Sequence, residues 1–138
     1  MPFVPLCEQK TEKMTPEIEK MASDVLDASF AIHTDFGPGL LERVYQMLLV
    51  SKLKRMGYSV ESEVPVSFSH EGETFQDAFK IDVLVEKQLV VELKSVETMA
   101  PVFAKQVLTY LRLTGLRLGL LINFGAAHLK DGIKRIAN

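Results

Sequence analysis

Between Ile18 and Ile32 the apolar positions recur with a helical period, and Ile18, Met21, Ala22, Val25, Ala28, Ser29 and Ile32 fall on one stripe. Thr15-Pro16-Glu17 opens this helix, with Thr15 as N-cap and Pro16 at the first helical position. It ends at Asp35-Phe36-Gly37-Pro38-Gly39, a run dense in helix breakers. A second helix is expected from about Leu40 to Met56, closed by Gly57, with Leu41, Val44, Tyr45 and Leu48 as its apolar stripe.

The period then shortens to two. Val60, Val64, Val66 and Phe68 mark a strand, and Pro65 within it suits an edge or a bulge. His70-Glu71-Gly72-Glu73 turns the chain, with His70 in solvent, into a second strand from about Thr74 to Val85, bent or bulged near Asp77-Ala78. Two strand-like runs, Lys80–Val85 and Leu89–Lys94, flank the polar triplet Glu86-Lys87-Gln88 and predict a β-hairpin. A third helix starts at Thr98-Met99-Ala100-Pro101 and stops before Gly115. Leu116–Ile122 is nearly all apolar, as expected of a strand buried on both faces. Asn123-Phe124-Gly125 leads into a last helix, Ala126–Ala137, with Leu129, Ile133 and Ile136 inward. Residues 1–14 have no periodicity and are expected to form a flexible arm, followed by one domain at 15–138. The order ααβββαβα predicts an α/β (α+β) fold with a mixed four-stranded sheet flanked by helices. Its third strand, third helix and fourth strand form a right-handed crossover.

The hairpin carries the candidate chemistry. Pairing about Lys87 puts Val85, Val83 and Ile81 opposite Leu89, Val91 and Leu93, which predicts one apolar face. The other face sets Lys80, Asp82 and Leu84 opposite Lys94, Glu92 and Val90. Asp82 and Glu92 then stand roughly 5 Å apart at Cβ, an arrangement that repels. A divalent cation would remove the conflict, because hard cations such as Mg²⁺ take one or two carboxylates plus water and phosphate oxygens. Alternation puts the Lys94 ammonium on the same face, two residues from a carboxylate, which is the layout of metal-assisted phosphodiester hydrolysis. Lys80, across from Lys94, could contact a neighbouring phosphate. The same four charges could also form a cross-strand ion network with no metal.

Composition narrows the alternatives. A hydrophobic fraction of 47% with 25% charged residues is that of an ordinary globular domain. The single cysteine, Cys7, rules out an internal disulfide framework and suits a reducing compartment. MPFVPLCEQK has no basic run and no apolar run of signal-peptide length, and no stretch approaches a membrane span, so a cytoplasmic protein without a membrane partner is expected. The net charge of −2 does not describe a general nucleic-acid binder. Its distribution is uneven: residues 98–138 hold one acid and six bases, which permits a local phosphate-attracting surface. There is no His/Cys cluster for zinc, no glycine-rich phosphate loop followed by Lys and no GxSxG, so other enzyme classes have little support.

Asp82, a short turn and Glu92-Leu93-Lys94 resemble the D…(D/E)xK signature of the PD-(D/E)xK nuclease superfamily. Gly39-Leu40-Leu41-Glu42-Arg43-Val44-Tyr45 is similar to the motif that names the GxxExxY protein family, a branch of that superfamily. Val90–Val96, Gln106–Gly115 and Gly119–Gly125 resemble it too, and the likeness extends roughly from Ile18 to Ile136. The resemblance implies a restriction-endonuclease-like core and Mg²⁺ or Mn²⁺ held by Asp82 and Glu92, with Glu42 completing the acid cluster directly or through water. It makes Lys94 the group that orients a water or offsets phosphate charge, and Gln106 a substrate or water positioner. Tyr110 stands one turn from Gln106 with Lys105 and Arg112 nearby, the last two as phosphate contacts. Tyr45 suits packing at least as well as catalysis, and His33 a helix end more than a ligand, although the family usually has a His there. Two functions stay open: a Mg²⁺-dependent nuclease acting on DNA or RNA, and a catalytically silent nuclease-fold module that binds nucleic acid or protein. A nuclease this small would be expected to use a homodimer or a protein partner to choose its substrate.

Overall fold

The computed structural model describes residues 14–138. Of the arm expected at 1–14, only Met14 is among them, and it packs against the core. Helix α1 (Pro16–Phe36) starts as the sequence predicts, with Thr15 Oγ1 accepting the Ile18 N–H at 3.2 Å, and it buries the whole predicted stripe. Gly37, at φ 67, ends it and donates its N–H to the His33 carbonyl at 2.8 Å. Helix α2 (Glu42–Arg55) is rotated from its expected face: Tyr45, Gln46, Leu49 and Leu53 are buried, and Leu41 is 69% exposed. Leu41 is the N-cap, with extended backbone, so it never joins the helical stripe.

Five strands follow: β1 (Val60–His70), β2 (Glu73–Val85), β3 (Leu89–Lys94), then after helix α3 (Pro101–Thr114) β4 (Leu118–Asn123) and β5 (Ile133–Ala137). They lie side by side in sequence order, with β3 and β4 parallel across the α3 crossover and the other pairs antiparallel. Helices α1 and α2 pack with one face of the sheet, around Val83, Val85, Val91, Leu120 and Ile122. On the other face α3 sets Val107 and Leu111 against Leu84, Val90 and Leu121. Every residue of β4 is buried, as a strand covered on both sides should be. Pro65 lies on the edge strand β1, where its missing N–H costs no ladder bond. The expected irregularity in β2 falls at Asp77, whose φ is 48 and whose N–H donates to Ser67 Oγ at 2.9 Å. No helix among the described residues is long and apolar enough to cross a membrane.

The hairpin has the expected register, Val85 with Leu89, Leu84 with Val90 and Val83 with Val91. Its turn is made without glycine: Glu86 and Lys87 both take left-handed backbone, at φ 51 and 55, and the Gln88 N–H closes on the Val85 carbonyl at 2.9 Å. Side chains other than Gly pay roughly 1 kcal/mol or more for that conformation. Lys87→Gly is therefore expected to stabilise the fold by about 1 kcal/mol. The lost 3.7 Å contact to Glu61 is exposed and offsets little of this. Urea unfolding at unchanged m-value would read the gain as a higher midpoint.

Two expectations fail. Ile81 does not share a face with Val83 and Val85; it packs with Leu84 and Val90 on the α3 side. β1 switches in the same way, with Val60 in the α1/α2 layer and Val64 and Val66 in the α3 layer. The switch sits at Glu63, which takes a left-handed φ of 52 and drops out of the ladder opposite Asp82. The second failure is the last helix. Ala126–Ala137 instead makes a 3₁₀ turn at Leu129–Gly132 and then β5, so the order is ααβββαββ and the mixed sheet has five strands rather than four. Helical spacing put Ile133 and Ile136 on one stripe, but a strand buries them on opposite faces, and both faces of this sheet are covered. The open edge of β4 takes that backbone as its ladder partner.

Candidate functional site

Where β2 and β3 would next pair, at Asp82 and Glu92, side chains replace the backbone ladder. The Asp82 N–H donates to Glu92 Oε1 at 3.0 Å, and the Leu93 N–H donates to Asp82 Oδ2 at 2.9 Å. The two carboxyls therefore lie in the seam between the strands, each accepting a backbone N–H from the other strand. Glu92 is only 7% exposed. Burial first, and then the charge of Asp82, push the Glu92 carboxyl up to about 8. Burial also raises Asp82, against the Leu93 N–H and with the charge of Glu63 adding to the rise. Holding both carboxyls ionised at once is therefore disfavoured. Lys94 is the cation that opposes these shifts, and its Nζ sits 4.2 Å from the centroid of the Phe103 ring on α3.

Helix α2 brings a third acid to this seam. Gln46 Nε2 donates to the Asp82 carbonyl at 3.1 Å and fixes the helix one turn beyond Glu42, its first residue. Glu42 is half-buried; burial and then the Asp82 charge raise its pKa, with Lys94 opposing and Glu63 adding. The approach to the helix is locked from inside. Tyr45 is fully buried and stacked on Phe124 at 4.4 Å; its hydroxyl donates to the Gly37 carbonyl and accepts the Leu40 N–H at 3.1 Å. Ser95 Oγ, just past β3, donates to the Leu40 carbonyl at 2.7 Å. Below it, Asn123 bonds Val96 twice, accepting its N–H at 3.0 Å and donating to its carbonyl at 2.8 Å. A Cβ on Gly125 would stand 2.4 Å from that same carbonyl, so only glycine fits there.

A sequence profile described as the PD-(D/E)XK nuclease superfamily matches residues 19–136, a span that includes all of these groups. The chain belongs to this superfamily. A solved structure titled "Crystal structure of SSO0001" superposes with a TM-score of 0.50 at 17% identity, covering 95% of this chain and 71% of that one, a likeness of fold. No curated protein matches the chain. PD-(D/E)XK nucleases generally use divalent metals.

The residues of this superfamily chain fit such a metal. They provide a carboxylate pair, Glu92 buried and Asp82 half-buried, both raised first by burial, which is the donor set of a hard cation. Glu42 does not close a third side of the site: among the described residues no three His, Cys, Asp or Glu side chains converge on one ion position. Mg²⁺ keeps several waters and needs only one or two carboxylates, so a pair suffices.

Other expected residues scatter. Tyr110 borders the site: it stacks on Phe79 at 4.2 Å, and burial followed by the charges of Glu92 and Asp82 raises its pKa. Gln106 lies exposed between Phe103 and Tyr110 on the same edge of α3. Lys80 does not face Lys94. It is exposed and pairs with Pro65, and because Phe79 and Ile81 point to the α3 layer the pleat turns Lys80 the other way. Lys105 and Arg112 lie on the outer, exposed face of α3, and neither is among the charges acting on the acids. His33 donates from Nε2 to the Ala126 carbonyl at 2.8 Å, so it ties α1 to the segment after β4, a packing role. Tyr45 packs likewise.

Three neighbours were not read as candidates from sequence. Glu63 reaches the acids only because of its left-handed kink, which no residue pattern announces. Gln46 was visible as one turn from Glu42, but its partner is a backbone carbonyl. Phe103 could have been found from its spacing to Tyr110 on α3.

Proposed function

We propose that this chain is a divalent-metal-dependent nuclease of the GxxExxY branch, hydrolysing phosphodiester bonds of DNA or RNA with residues 15–138 as a single catalytic domain. The observation that carries the reading is the pairing of half-buried Asp82 with buried Glu92, with Lys94 beside them. A pair held partly out of solvent, with each carboxyl raised above its ordinary pKa, destabilises the metal-free fold at neutral and higher pH; a cation between them removes that cost. The GxxExxY assignment is supported by what its residues do: Tyr45 clamps the Gly37–Leu40 turn, and that turn starts α2 at Glu42.

Asp82 and Glu92 would hold Mg²⁺ or Mn²⁺, which supplies Lewis-acid polarisation of the scissile phosphate and a nucleophile near neutral pH. Lys94, steadied on Phe103, offsets charge developing on the phosphate or orients the attacking water. Glu42, raised by burial, can hold a water in reach of the pair. Gln106 and Tyr110 offer polar groups to substrate along α3.

The test is metal-dependent nicking or degradation by the purified protein of plasmid, single-stranded DNA and RNA in Mg²⁺ and Mn²⁺. Metal-independent inertness towards all three, with the acid pair intact, would return the chain to a silent binding module. Phe103→Leu removes the platform under Lys94 while leaving both carboxylates. Cleavage is expected to fall about two- to fivefold, the rate equivalent of roughly 0.5–1 kcal/mol for such a contact. Mn²⁺ affinity is expected to stay unchanged, which separates a Lys94 effect from damage to the metal site.

A further inference from the structure

An open groove of about 630 Å³ lies between α2 and β1, and Arg43, Lys54, Arg55, Ser62 and Glu63 are among its lining. The three cations are exposed, and among the described residues none has a carboxylate within salt-bridge distance. Lys54 and Arg55 sit at the C-terminal end of α2, where the helix dipole favours cations without any ligand. Arg43 has no such excuse. As the second residue of α2 it stands at the positive end of the dipole, where a cation is disfavoured. Nor does it serve its neighbour, because the charges acting on Glu42 are Asp82, Lys94 and Glu63.

The groove shares two residues with the surroundings of the acid pair. Gln46 and Glu63 line it, and they are the residues that bond the Asp82 backbone and raise the Asp82 carboxyl. From Arg43 to Lys54 the helix rises roughly 16 Å, enough to follow several phosphates of one strand at about 3.4 Å each.

We propose that this groove binds the sugar–phosphate backbone of the nucleic-acid strand that reaches the acid pair, with Arg43, Lys54 and Arg55 as its phosphate contacts. The identity of the anion rests on the nuclease reading of Asp82 and Glu92. The groove takes the place of Lys105 and Arg112, whose face of α3 points away from the seam.

Binding and cleavage are measured separately, so the two readings can fail separately. A fluorescein-labelled DNA single strand and its duplex are titrated by anisotropy in EDTA and in Ca²⁺, across about 50 to 200 mM salt. Arg43→Gln/Lys54→Gln/Arg55→Gln is expected to bind about tenfold or more weakly, with the slope of log K against log salt smaller by about 2. Lys105→Gln/Arg112→Gln is expected to bind as wild type does. All five positions are exposed, and matching thermal melts would establish that both variants fold. A triple variant that keeps wild-type affinity and salt slope would overturn the proposal, as would a wild type that binds neither strand nor duplex. Metal-dependent cleavage by wild type, scored alongside, tests the acid pair independently: groove-dependent binding without cleavage leaves the groove standing and removes the nuclease reading.

Discussion

Asp82→Ala is expected to cut metal-dependent cleavage by roughly 10²–10³-fold or more, the scale on which losing one preorganised electrostatic contact acts. The variant removes one of two carboxylates and leaves Glu92 alone in the seam. It also orphans the Leu93 N–H, which now donates to Asp82 Oδ2 at 2.9 Å, at about 1–3 kcal/mol of stability. Asp82→Asn separates the two effects. Its side-chain oxygen can still accept the Leu93 N–H while the charge is gone, so it should fold and yet be as inactive as Ala. An Asn variant with wild-type turnover would mean that the carboxylate charge is not what the reaction uses.

The second large effect is on stability against pH. Glu92 has an ordinary value of 4.5 and stands at about 8 in the fold. Between those values the native state keeps a proton that the unfolded chain releases, so metal-free stability falls as pH rises through that window. The contribution is fully present below about 4.5 and lost above about 8. Asp82 and Glu42 are also raised, so they act with the same sign. At about 1.4 kcal/mol per pKa unit the loss from Glu92 is of the order of 5 kcal/mol. Glu92→Gln, which needs no proton, should flatten the profile and be more stable than wild type at pH 8 in EDTA. Mg²⁺ should restore wild type at pH 8 and leave the Gln variant unmoved. Urea midpoints from pH 5 to 9 would contradict this if wild type gained stability with pH, or if both proteins followed one curve.

The parts of the fold written in periodicity were legible. The α1 stripe, the hairpin register and the buried fourth strand follow from which positions are apolar, because each element buries one or two of its own faces. The acid pair was legible for the same reason, since a two-residue alternation either side of Lys87 aligns Asp82 with Glu92. What was hidden depends on backbone that leaves the regular pattern. Glu63 in a left-handed conformation moves Ile81 to the other layer, turns Lys80 away from Lys94 and brings its own carboxylate towards Asp82. Ile133 and Ile136 fit a helix or a strand equally well until the open edge of β4 decides between them. The cations failed differently. A surplus of bases in residues 98–138 suggested a phosphate surface, but in three dimensions those bases spread: Lys105 and Arg112 face out from α3, and Arg135 pairs with Glu19. The cations that gather in one groove come from α2, in the middle of a chain segment with more acids than bases.

Titration calorimetry of Mn²⁺ into wild type and Asp82→Asn at pH 7, in two buffers of different ionisation enthalpy, tests the acid pair most directly. Because both carboxyls are raised and must be ionised to take a cation, wild type should bind at one site with net proton release, and the variant should show neither heat nor release. Wild type that binds no Mn²⁺, or a variant that binds it as tightly with the same proton count, would contradict a metal site built from Asp82 and Glu92.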